Sequence, residues 1–315
     1  RKITMSEIKP INQTKLFGLE RYLNELIKLE NINKLPSKIL FTGQKGVGKS
    51  TLAYHFINYV LSKDENLKYD SDNYKINPEN HSFKTVKNFS NPNLILIDVK
   101  DEKFNIDINQ IRDLISKLNK SSFNQKPRFI LIDNIEFLNT NSINALLKVL
   151  EEPPSNVYFI LINNCNKKII PTLLSRCINF KIFLSNSENF DIANKLLDGD
   201  LNKILNDDLI NYYSTPGDIY KLAKFGEKNK YDLLNIDLKK FLVFIIEGND
   251  YKRNIFLKNL IFNYIESYLI KLNLKTNFKI FSKYNYFIKK IAEVKRFNLD
   301  EESLFIEFND EILNG

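Results

Sequence analysis

Apolar residues over the first 183 positions alternate between two patterns. Short apolar runs at residues 37–42, 94–98, 129–132, 157–162 and 178–183 predict strands, and the unbroken Phe129-Ile130-Leu131-Ile132 predicts one that is fully buried. Residues 52–61 and 108–118 space their apolar positions for helices. Strands alternating with helices imply a largely parallel sheet covered by helices. The stretch 64–92 is dominated by Asn, Asp, Ser and Lys and reads as a long excursion or loop. Beyond Leu184 the strand-like runs stop. Residues from about 186 to 235 read as a small helical set, and 236 to the end as a longer helical bundle. In that bundle Leu257, Leu260, Ile261, Tyr264 and Ile265 share one helix face, and the dense aromatics read as core packing. The expected division is 1–184, 185–235 and 236–315.

A chain of 315 residues with 43% hydrophobic composition is long enough for two or three compact domains. No apolar run is long enough to cross a bilayer, so no membrane partner is expected. The start, Arg1-Lys2-Ile3-Thr4-Met5, has no apolar segment or small-residue cleavage site behind it and is not expected to act as a secretory leader. Cys165 and Cys177 cannot build a disulfide framework, which fits two free thiols in a reducing cytoplasm. The net charge of +8 suits a nucleic-acid partner but is spread along a chain rich in Lys, Asn and Ile, so it marks no binding face.

The chemistry is concentrated in Gly43-Gln44-Lys45-Gly46-Val47-Gly48-Lys49-Ser50, followed by Thr51. The spacing is that of a phosphate-binding P-loop. Glycines let successive N–H groups turn toward phosphate oxygens, and the helix that follows aims its positive end at the same anion. Lys49 is placed to reach the β- and γ-phosphates, and the Ser50 hydroxyl to ligate Mg²⁺. Three of the chain's nine glycines sit here, between a predicted strand and a predicted helix, which is the context such a loop requires. Asp133 ends the buried strand and suits the Mg²⁺ that accompanies a nucleotide. The expected ligand is therefore ATP or ADP with Mg²⁺.

Three further segments resemble those of a known family. The helix Ser142-Ile143-Asn144-Ala145-Leu146-Leu147-Lys148-Val149-Leu150-Glu151-Glu152-Pro153-Pro154 resembles one in the clamp-loader subunits of bacterial DNA polymerase III, which are AAA+ proteins. Ser175-Arg176-Cys177 resembles their Ser-Arg-Cys motif, and Leu16-Phe17-Gly18 the segment that packs near the adenine. On their own, Ile143, Leu146, Leu147 and Leu150 form a stripe that buries one helix face, stopped by two prolines. The resemblance implies an AAA+ P-loop domain with a parallel sheet, a small helical lid and a C-terminal all-α collar. It also implies that Arg176 reaches, as an arginine finger, a γ-phosphate held by a neighbouring subunit.

Departures from the family narrow the expectation. Active members carry Asp-Glu where this chain has Asp133-Asn134, and an amide cannot take a proton from water. Glu136, two residues on, is a distant substitute. Asn163 or Asn164 can serve as the polar sensor that positions water, or either can simply end its strand. The lid stretch Thr215-Pro216-Gly217-Asp218-Ile219-Tyr220-Lys221 lacks the usual arginine, and Lys221 is a weak stand-in. Many relatives hold zinc with four cysteines in the region equivalent to 64–92; one histidine there, His81, cannot do so, and no zinc is expected.

These features favour the delta-prime branch of the family: a cytoplasmic subunit that binds nucleotide and hydrolyses it poorly or not at all. Its expected partners are the delta and gamma/tau subunits, with the sliding clamp and primed DNA reached through the complex. The alternatives are an active gamma/tau-like ATPase, a scaffold that does not depend on nucleotide, and an unrelated P-loop repair or helicase-loading factor.

Overall fold

The computed structural model describes residues 8–99, 105–119, 124–165, 169–211, 214–273, 278–297 and 299–314. The segment Arg1 to Met5 lies outside them. Two compact units result, Arg1–Lys195 with Thr215–Gly217, and Leu196–Ser214 with Asp218–Gly315.

The first unit contains α1 (Glu20–Asn31), β1 (Lys38–Thr42), α2 (Lys49–Leu61), α3 (His81–Lys87), β2 (Leu94–Ile97), α4 (Ile108–Leu118), β3 (Arg128–Ile132), α5 (Thr140–Glu151), β4 (Val157–Asn163), α6 (Pro171–Leu174) and β5 (Ile178–Lys181); α7 (Asn186–Leu197) follows. The strands form one sheet in the order β2-β3-β4-β1-β5, with every neighbouring pair parallel. Side chains alternate between the faces of a strand. Ile130 and Ile132 enter the cluster that holds Ile111, Leu114 and Leu118 of α4 and Leu146 and Leu150 of α5. Phe129 points to the other face and meets Phe56 of α2 edge-on, with ring centroids 6.1 Å apart. Helices therefore cover both faces, which explains why the interiors of β1, β3 and β4 carry almost no polar positions, whereas the edge strand β5 is largely exposed.

The stretch 64–92 departs from the expected loop. Its polar composition hides four side chains that return to the core: Tyr69, Ile76, Phe83 and Val86, all buried. Phe83 and Val86, three apart, give α3 one apolar face. Asn80 caps that helix by accepting the Phe83 N–H at 2.7 Å, accepts from Asn58 of α2 and donates to the Leu67 carbonyl. The fully buried His55 of α2 meets the Tyr69 hydroxyl at 2.9 Å. Among the described residues, no group of three or more His, Cys, Asp or Glu is arranged to hold a metal.

The second unit contains α8 (Pro216–Asn229), which begins in the first, then α9 (Leu238–Glu247), α10 (Asp250–Arg253), α11 (Ile255–Asn273), α12 (Phe278–Phe297) and α13 (Glu301–Phe308). Leu257, Leu260, Ile261, Tyr264 and Ile265 are buried along α11, as their spacing predicts. The aromatics pack edge-on: Phe305 lies 5.2 Å from Tyr251 and 5.1 Å from Phe262, and Phe287 lies 5.2 Å from Phe308. Such pairs add to the burial of apolar area. No described helix is long and apolar enough to cross a membrane.

Burial lowers the His55 pKa from 6.5 to about 4, against a smaller opposing effect of a backbone hydrogen bond with Gln13. Between those values the unfolded chain binds a proton that the folded chain refuses. The contribution of His55 is therefore fully present above pH 6.5 and is lost as pH falls toward 4. Denaturant unfolding should show a loss of about 2 kcal/mol from this group between pH 7 and pH 5. His55→Gln should be less stable at pH 7 and show a correspondingly shallower pH dependence; equal slopes in the two proteins would contradict the assignment.

Candidate nucleotide-binding site

Parallel pairing brings the chemistry to one edge of the sheet. Thr42 is in register with Asn163, and Ile132 with Leu161, so Gly43, Asp133 and Asn164 leave their strands on the same side. Such a crevice beyond the carboxyl ends of parallel strands is where α/β folds hold ligands. Gly43 opens the loop where the β5 side crowds it: a Cβ there would sit 2.3 Å from the Ile182 carbonyl oxygen. Gly48 closes it in the left-handed region, with φ of 97°, and is the N-cap of α2. That turn delivers Lys49, Ser50 and Thr51 as the first helical residues, with N–H groups that lack intrahelical partners. Gln44 and Lys45 are exposed at the tip, and Val47 is buried.

Lys49 is almost fully buried and donates to the carbonyls of Gly43 at 2.8 Å and Gln44 at 2.6 Å. Burial lowers its pKa to about 8, offset in part by the nearby charges of Asp133 and Glu136. The Ser50 hydroxyl donates to Asp133 at 2.5 Å. A row of N–H groups, a buried lysine and a hydroxyl beside a carboxylate suit a polyphosphate and the hard cation that travels with it.

Asn134 adopts the left-handed conformation, with φ of 56°. Its N–H donates to Asp133 at 2.8 Å and its amide nitrogen to Asp98 at 2.7 Å, while its amide oxygen accepts from Asn164 at 2.8 Å. The Asn164 N–H donates to Glu136 at 3.1 Å. Asn163 instead accepts the Cys165 N–H at 3.0 Å. Asp98 has its pKa raised, first by burial and also by the charge of Asp133, against the bond from Asn134. A carboxylate at position 134 would add a further charge to Asp98, Asp133 and Glu136 and could donate to none of them. Sequence reasoning offered Asn164 as an alternative to Asn163 and did not connect Asp98 to the site. The available signal was that residues 94–98 and 129–133 both end an apolar strand on Asp, which parallel pairing places side by side.

The remaining predicted residues lie around this edge or apart from it. Leu16 and Leu19 are buried, and a Cβ added at Gly48 would lie 3.0 Å from Leu19 Cδ1. Thr215 is buried, and the Gly217 N–H donates to the Gly46 carbonyl at 3.1 Å. Lys221 instead lies over the Phe256 ring, 5.6 Å from its centroid. Arg176 follows α6, and its guanidinium donates to Glu151 at 2.6 Å and to the Thr172 carbonyl at 2.9 Å, neither of them in the phosphate loop.

A family model described as "DNA polymerase III, delta subunit" matches residues 18–185. DNA polymerase III subunit delta' of Buchnera aphidicola subsp. Baizongia pistaciae is 30% identical over 180 residues, covering 54% of this chain and 51% of that protein. DNA polymerase III subunit gamma/tau of Mycoplasma genitalium is 30% identical over 179 residues, covering 57% of this chain and 28% of that protein. The chain thus spans about half the length, or less, of these curated relatives. Among solved structures, a DNA polymerase III gamma subunit-related protein of Thermotoga maritima superposes with a TM-score of 0.44 at 18% identity, covering 90% of this chain and 96% of that one.

The lowered pKa of Lys49 gives phosphate binding a pH dependence. An anion favours protonated Lys49, so affinity should fall as pH rises through about 8. Titration with a fluorescent nucleoside diphosphate should show about tenfold weaker binding at pH 9 than at pH 7. Unchanged affinity over that range would mean that Lys49 keeps an ordinary lysine pKa.

Proposed function

The chain belongs to the DNA polymerase III delta-subunit family of clamp-loader proteins, and on that premise we propose that it is a delta-prime-type AAA+ subunit that binds ATP or ADP and hydrolyses it poorly. The observation that carries this reading is the hydrogen-bonded amide of Asn134 where catalysis requires a carboxylate. Asn134 spans Asp98 and Asn164 through its side chain, which leaves it engaged in structure. An amide offers no site for the proton of an attacking water.

In this reading the backbone of Gly43 through Gly48 and the ammonium of Lys49 would hold the phosphates, and Thr51 and Asn163 would contribute to binding the nucleotide. Ser50 and Asp133, hydrogen-bonded to each other, are the oxygen donors that would hold Mg²⁺ with the phosphates. The ion would supply charge neutralisation at the phosphate oxygens. Nucleotide then acts mainly by stabilising the folded subunit that it binds. The C-terminal helices would dock against other subunits, delta and gamma/tau, in a cytoplasmic assembly that loads a sliding clamp on primed DNA. Arg176 would supply a trans finger to a neighbour's ATP.

One observation favours a second reading, an active gamma/tau-like ATPase. Glu136 is held by the Asn164 N–H and is near enough to influence Lys49, so a carboxylate does stand beside the phosphate loop. Turnover by the isolated chain separates the two.

In a reconstituted loader, Arg176→Ala in this chain alone should lower ATP turnover about tenfold or more. The isolated chain should show no steady turnover. A complex indifferent to the change would make Arg176 structural and remove the trans finger from the account.

A further inference from the structure

The trans role proposed for Arg176 leaves open how an arginine at the end of a four-residue helix is kept oriented for a phosphate on another chain. We infer that Glu151 is the positioning residue for Arg176, holding the guanidinium in place so that it meets a neighbour's nucleoside triphosphate already ordered; this rests on the trans role of Arg176. Nη2 of Arg176 donates to Glu151 Oε1 at 2.6 Å, and Nη1 donates to the Thr172 carbonyl at 2.9 Å. Two acceptors on two elements, the end of α5 and the body of α6, fix the plane of the guanidinium. Both elements are anchored: Leu146 and Leu150 of α5 and Leu173 of α6 are fully buried. An arginine carries five N–H donors, so these two bonds do not exhaust its capacity for phosphate oxygens.

The placement of Glu151 supports this role. It is the last residue of α5, the end at which the helix dipole disfavours a carboxylate. Glu152 follows at the cap, so two acids stand against the local preference. A cation beside them offsets that, and Arg176 is the cation Glu151 meets. Stability does not account for the pair, because side-chain exposures of 32% and 53% make it a solvent-screened surface ion pair. What the pair does supply is order. An arginine that is already held has less side-chain freedom to lose when the phosphate arrives.

The test is Glu151→Gln in this chain, assayed in the reconstituted loader alone and combined with Arg176→Ala. Glutamine keeps the shape and one acceptor but loses the charge. The expected result is a fall in kcat of about threefold to tenfold, with KM for ATP little changed. No further fall is expected when Arg176 is already alanine, and the unfolding midpoint of the isolated chain should be unaltered. Turnover that is unchanged or raised by Glu151→Gln, while Arg176→Ala lowers it, would overturn the positioning role and leave the finger standing. An equal fall with and without Arg176 would also overturn it, showing a general structural defect. If Arg176→Ala itself has no effect, the finger reading fails and the role of Glu151 falls with it.

Discussion

The Ser50 hydroxyl meets the Asp133 carboxylate at 2.5 Å although the two residues lie 83 positions apart. That contact exists only because β1 and β3 run parallel and end on the same edge, with β4 between them. The phosphate loop is fixed at its start by the crowding at Gly43 and at its end by the left-handed Gly48. Between these constraints α2 has one way to begin, with Lys49 buried and Ser50 turned to Asp133. The position of Lys49 depends on the same geometry. Its burial is tolerable because the Gly43 and Gln44 carbonyls accept its hydrogen bonds and the charge of Asp133 lies nearby.

The same edge explains why the proposed chemistry is divided between chains. Asp98, Asp133 and Glu136 already crowd the mouth of the sheet, and Asn134 relieves that crowding by donating to Asp98. An amide at position 134, which the proposed reading takes as the loss of a general base, thus also fits a local electrostatic need. Arg176 stands on the turn after α6, bound to Glu151 and Thr172. On the proposed reading, one set of residues would hold nucleotide and another would offer a cation to a neighbour.

Much of the fold is legible along the chain, because buried parallel strands and amphipathic helices write their burial into consecutive residues. The helix expected at 108–118 is α4 itself, and the strand expected at 94–98 differs from β2 only at Asp98. The stretch 64–92 is not legible in this way. Tyr69, Ile76, Phe83 and Val86, all buried, are scattered among polar residues, and only Phe83 and Val86 share a helix face, so the stretch carries no sustained apolar pattern. The phosphate loop is readable because its residues are consecutive. The network of Asp98, Asn134, Glu136 and Asn164 is not, because three strand ends assemble it. Nor is the pairing of Arg176 with Glu151, which depends on the turn between α6 and β5.

The central claim is that this chain holds nucleotide without turning it over. A single-turnover experiment tests it most directly: isolated chain in excess, γ-labelled ATP with Mg²⁺, and separate measurement of retained label and released phosphate. The account predicts that the label is retained on the protein and stays uncleaved, and that Lys49→Ala abolishes retention. Conversion of the bound label to released phosphate, or failure to retain label at all, would contradict it.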